Sequence, residues 1–149
     1  MSAEQIGLMV FWGMAGLAAA VVGWRQVVVR NNPYGKTGGL FWLGMFVWGD
    51  AAVFGPFWFL AALVCLAVRD WWLFLLVVAL FWLVRSVGET IYWLNQQFSP
   101  LNINPAGRLG GDKYFKMDSI WFVYQIIWQC VAVVSAVAVI YLSGRWLAK

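Results

Sequence analysis

Four apolar stretches, each long enough to cross a bilayer, leave this chain few folds to choose from. The hydrocarbon core is about 30 Å thick and a helix rises about 1.5 Å per residue, so about 20 mostly apolar residues make one crossing. The stretches run from about Ile6 to Val29, Leu40 to Val68, Trp71 to Leu94 and Ser119 to Leu147. Backbone polar groups in lipid must be satisfied within the segment, which selects helices; the runs are too continuous for the alternating strands of a barrel. The expected fold is an all-α integral membrane protein, a single domain built as a four-helix transmembrane bundle. Composition agrees. Only 11% of the residues are charged, against roughly 25% in soluble domains.

The connections set the topology. Asn31 to Gly39 is turn-rich, Arg69-Asp70 allows only a tight antiparallel hairpin, and 95–117 is the one long loop. Arg25, Arg30 and Lys36 in the first loop, with Arg108, Lys113 and Lys116 in the third, stand against Arg69, Arg145 and Lys149 on the other side. Basic loops stay in the cytoplasm, so both termini are expected outside. The expected location is a bacterial or archaeal cytoplasmic membrane. The opening Met-Ser-Ala-Glu-Gln has no basic residue and no cleavage site follows the first apolar run, so that run reads as a permanent helix rather than a signal peptide.

Several chemistries are excluded. The chain has no histidine, which removes imidazole-held haem, His-containing zinc sites and a histidine base. Cys65 and Cys130 lie far apart without CxxC spacing, so both read as small packing residues. No cofactor and no metal are expected. The basic residues sit in loops rather than in a stripe, so nucleic acid is not an expected partner. Of the twelve tryptophans, Trp42, Trp93, Trp121, Trp71, Trp72 and Trp146 read as interfacial anchors. Trp12, Trp48, Trp82 and Trp128 lie deeper.

Polar residues within the spans carry the functional reading. Asp50, about eleven residues into the second stretch, is expected near the midplane, followed by a kink at Gly55-Pro56. In the third stretch Arg85, Glu89, Tyr92 and Gln96 share one helical face. In the fourth, Asp118, Phe122, Gln125 and Gln129 do the same and continue into Ala132 and Ala136. Together these predict a polar pocket open to the cytoplasm. The plainer alternative is interhelical glue, since membrane helices use glutamine and charged pairs to fix packing. Ionisable residues inside a membrane nonetheless mark functional sites by default. The first stretch differs: Gly13, Gly16, Ala20 and Gly23 form one smooth packing face, for a neighbour in the protomer or at a dimer interface. Gly38, Gly39, Gly44 and Gly49 offer a candidate match. In the long loop, the amides of Asn95, Gln96, Gln97, Asn102 and Asn104 could meet a solute, while Arg108, Lys113 and Lys116 beside Tyr114 and Phe115 suit anionic headgroups better.

Three functions follow as expectations. The first is a transporter or channel subunit for an ion or small polar solute, working as a homo-oligomer because four helices enclose little space. The second is a non-catalytic subunit or assembly factor of a larger membrane complex. The third is an intramembrane lipid-modifying enzyme, disfavoured because no nucleophile motif, metal set or phosphate loop is present.

Overall fold

The computed structural model describes residues 1–98 and 119–148. Its four α-helices are α1 (Ala3–Trp24), α2 (Trp48–Ala67), α3 (Trp71–Phe98) and α4 (Ser119–Leu147). Four segments are long and apolar enough to span a membrane, α1 being extended to Val29 by a π-helical turn from Arg25. They mark the chain as a membrane protein. Among the described residues there is no strand, only an isolated antiparallel bridge between Lys36 and Val47. The chain divides into two compact units, Met1–Val77 and Val78–Lys149.

In the first unit, α1 begins at a reciprocal cap. Ser2 Oγ accepts from the Gln5 amide (3.3 Å), and Gln5 Oε1 accepts from the Ser2 amide (2.8 Å). Its glycine face lies directly on α2. A Cβ added at Gly16 would stand 2.8 Å from Trp58 Cβ and 2.9 Å from the Gly55 carbonyl; one at Gly23 would stand 2.6 Å from the Ala52 nitrogen. From the other side, a Cβ at Gly55 would meet the Ala20 nitrogen at 2.6 Å. These are backbone approaches that only small residues permit. Pro56, inside α2, removes the donor that would otherwise reach the Ala52 carbonyl.

The expected second helix, about 40–68, is shorter in the structure and begins at Trp48. The preceding apolar residues fold back as a hairpin. Its arms pair through the Thr37 amide to the Phe46 carbonyl (3.1 Å) and the Trp48 amide to the Gly35 carbonyl (3.0 Å). Its tip is a single 3-10 turn, Phe41–Leu43. Gly38 (φ 71°) and Gly44 (φ 72°) occupy the left-handed region that breaks the helix here. The tip lies deep beside α1: the Trp42 ring stacks on Phe11 at 5.8 Å and meets the edge of Trp12 at 4.9 Å. Leu43 and Met45 are fully buried.

Irregular backbone at membrane depth survives only where protein covers it and its polar groups are paired. Trp58 Nε1 donates to the Leu43 carbonyl (2.9 Å), and Thr37 Oγ1 donates to the Met45 carbonyl (2.6 Å). The Met45 amide reaches the Leu40 carbonyl at 3.3 Å. Trp58 is itself fully buried, so its indole N–H is committed to this bond. Trp58→Phe should therefore destabilise the protein by about 1–3 kcal/mol, the cost of one orphaned buried carbonyl. Thermal unfolding in detergent would read this, and an unchanged midpoint would remove the hairpin's main anchor from the account.

A short link joins α2 to α3. Arg69 takes a left-handed conformation (φ 52°), and the Asp70 amide bonds the Cys65 carbonyl at 3.0 Å, closing α2. Asp70 Oδ1 then accepts from the Leu73 amide (2.9 Å), capping α3. Two residues thus finish one helix and start the next. In the second unit, large side chains make the contacts of α3 with α4. Trp93 stacks on Tyr124 at 4.7 Å and Trp82 on Trp128 at 6.4 Å. Trp93, Ile120 and Trp121 form a buried cluster, so Trp93 and Trp121 are packing residues as well as candidates for an interfacial level.

Candidate functional site

The most polar part of the described spans is a row at i, i+4 spacing on α3, the spacing that puts side chains one above another on a helix. Arg85 stands about midway along the 28-residue helix. Its Nη2 meets Glu89 Oε1 at 2.8 Å, and the two side chains are only 18% and 14% exposed. The other Glu89 oxygen, Oε2, accepts from Trp93 Nε1 at 3.0 Å. One turn on, Gln97 Nε2 donates to the Trp93 carbonyl (3.3 Å) and to Gln125 Oε1 of α4 (2.6 Å). The row runs Arg85–Glu89–Trp93–Gln97–Gln125, a chain of donors and acceptors threaded through apolar helix.

Its electrostatics are those of an internally neutralised pair. A lone charge at this depth costs several kcal/mol, whereas an ion pair with every oxygen bonded recovers much of that cost. Nearby hydroxyls stay out of the row: Ser86 Oγ bonds the Leu83 carbonyl and Thr90 Oγ1 the Ser86 carbonyl, the usual back-bonding of such residues within a helix.

The sequence-derived candidates therefore separate. Arg85 and Glu89 are in contact. Tyr92 packs edge-on against Trp93 at 5.2 Å, and Gln96 is 5% exposed. Gln125 joins the row through Gln97, whereas Gln129 and Phe122 are exposed on α4. Asp118 lies outside the described residues, as does the long connection beyond Phe98. Asp50 is in the first turn of α2 rather than eleven residues into it, because the helix starts at Trp48. Its Oδ2 accepts from the amides of Phe46 (2.9 Å) and Val47 (3.2 Å). That is the work of a capping carboxylate. Gly13, Gly16 and Gly23 lie against α2, and Ala20 lies against Gly55.

Two members of the row escaped the sequence reading. By sequence Trp93 reads as an interfacial anchor and Gln97 as a loop residue, whereas α3 runs on to Phe98. Continuing the Arg85-to-Glu89 step by four residues, twice, would have found both.

Helical spans with a partnered ion pair midway along one of them define a polytopic α-helical membrane protein. No known protein family, curated protein or solved structure matches the chain.

Proposed function

We propose that this protein is a transporter or channel subunit for an ion or small polar solute, with Glu89 as its exchanging group. The observation that carries the reading is the Arg85–Glu89 contact, largely buried and midway along an apolar helix. A proton or cation arriving at the Glu89 carboxylate competes with Arg85 for it, and the released guanidinium can meet an anion or reposition the row. Tyr92, Gln96, Gln97 and Gln125 supply polar groups along the same end of α3. The excess of basic residues in the first and third loops supports a cytoplasmic opening with both termini outside, in a bacterial or archaeal cytoplasmic membrane. Gly55-Pro56 supports a bend in α2.

Proteoliposome flux of protons, sodium, potassium and chloride tests this. Glu89→Gln is expected to lower the wild-type flux at least tenfold. Asp50→Asn should leave it within twofold, because Asn still caps the helix, and even Asp50→Ala should cost only about 1 kcal/mol of stability. Flux that survives Glu89→Gln unchanged would remove the carboxylate from the pathway. A wild type without flux would favour a second reading, a non-catalytic subunit of a larger membrane complex. One observation supports that reading: the buried residues of the 29-residue α4 are Ile120, Trp121 and Ser135 alone, which leaves most of its surface to lipid or to another chain.

A further inference from the structure

A single π-helical turn sets which side of the first span its two arginines share. Arg25 and Arg30 stand five residues apart, and an α-helix, at about 3.6 residues per turn, would set them about 140° apart around its axis. Here the winding loosens over Arg25–Val29, and the Arg30 amide donates to the Arg25 carbonyl at 3.2 Å. A bond of this spacing stacks the two residues one turn apart on one face. Both side chains are exposed. Among the described residues neither guanidinium meets a carboxylate. Asp50, at the adjoining end of α2, accepts from the Phe46 and Val47 amides at Oδ2. Like charges one turn apart repel, so the π-turn holds together a pair that an α-helix would separate.

We infer that Arg25 and Arg30 together bind the phosphate of an anionic phospholipid, in the leaflet at the C-terminal end of α1. Depth names the source. From its capped start α1 runs 22 residues, about 33 Å at about 1.5 Å per residue, against a hydrocarbon core of about 30 Å. Arg25, the next residue, emerges among headgroups when Ser2 and Glu4 lie at the opposite surface. Trp24 and Tyr34 are 65% and 82% exposed near this end, and such aromatic residues favour the headgroup level. The guanidinium supplies the fit: its planar fork bonds phosphate oxygens in pairs, and a phosphate between two forks offsets their repulsion. A headgroup without a cation of its own balances the pair better than a zwitterionic one. All of these groups belong to the Met1–Val77 unit, and the transport proposal does not enter.

Native mass spectrometry of the full chain in detergent, titrated with phosphatidylglycerol or phosphatidylcholine, tests this. A basic residue at an anionic surface is worth about fivefold in affinity. Wild type should therefore prefer phosphatidylglycerol by about tenfold or more, Arg25→Gln and Arg30→Gln should each bind it about fivefold more weakly, and the double variant about 25-fold. Arg69→Gln, beyond the far end of α2, should bind as wild type does. Geometry is tested at constant charge: Val29 is exposed, and Arg30→Gln combined with Val29→Arg moves the guanidinium round the helix by one residue. That variant should bind as weakly as Arg30→Gln alone. Equal binding of the two lipids by wild type overturns the inference. So does a repositioned arginine that restores wild-type affinity, which would leave only an effect of charge. Inorganic phosphate held as tightly as the lipid would also overturn it, making the ligand a soluble anion.

Discussion

Placing a valine at Gly23 should unfold the Met1–Val77 unit. The added Cβ would stand 2.6 Å from the Ala52 nitrogen and 2.9 Å from the Ala51 carbonyl carbon and Cβ. Backbone cannot turn aside as a flexible side chain can, so α1 and α2 would have to move apart along their whole contact. Gly55→Val meets the same obstacle from the other helix, at the Ala20 nitrogen, Cα and Cβ. Overpacking costs about 1–3 kcal/mol when side chains can adjust; here about 3 kcal/mol or more is expected for either change. The controls have the opposite sign. Nothing lies within 4 Å of a Cβ at Gly7 or Gly88, and alanine at an open helical position is favoured over glycine by about 0.5–1 kcal/mol. Unfolding in mixed micelles would separate the two groups, and a Gly23→Val protein within 1 kcal/mol of wild type would mean the helices are not packed this closely.

The second large effect belongs to the ion pair. Arg85→Leu or Glu89→Leu alone leaves one charge in apolar surroundings and should cost about 3–5 kcal/mol. Removing both should cost less than either single change, because the desolvation penalty disappears with the charges. That ordering is what a double-mutant cycle on the same unfolding assay would report. Singles that cost under about 1 kcal/mol would show that both groups are well hydrated, as in an exposed pair. The cycle also bears on function, since a pair worth little to stability yet required for flux is held for its chemistry.

Length and apolarity made the spans legible. The hairpin was not legible, for a definite reason. Leu40, Phe41, Trp42, Leu43, Met45 and Phe46 are as apolar as a lipid-facing helix would be, and hydropathy does not distinguish burial in lipid from burial in protein. The signal that was present is Gly38 and Gly44, whose left-handed backbone stops a helix; read as packing surface, they hid the break. Asp50 follows from this: a helix from Leu40 would carry it to the midplane, whereas one from Trp48 puts it in the first turn. On α3 the contact of Arg85 with Glu89 could be read from their spacing. Its continuation to Trp93 and Gln97 depended on where the helix ends, and an amide-rich run after Leu94 reads equally as helix or loop.

The hairpin between α1 and α2 also ties its stability to both helices. Its tip finds partners only on surfaces that other segments create: the indole of Trp58 in α2, and the rings of Phe11 and Trp12 in α1. Without the Trp58 indole of α2 the Leu43 carbonyl has lost its side-chain donor, and without α1 the Trp42 ring has lost Phe11 and Trp12. The hairpin thus depends on both helices it joins, and a change in either one reaches it.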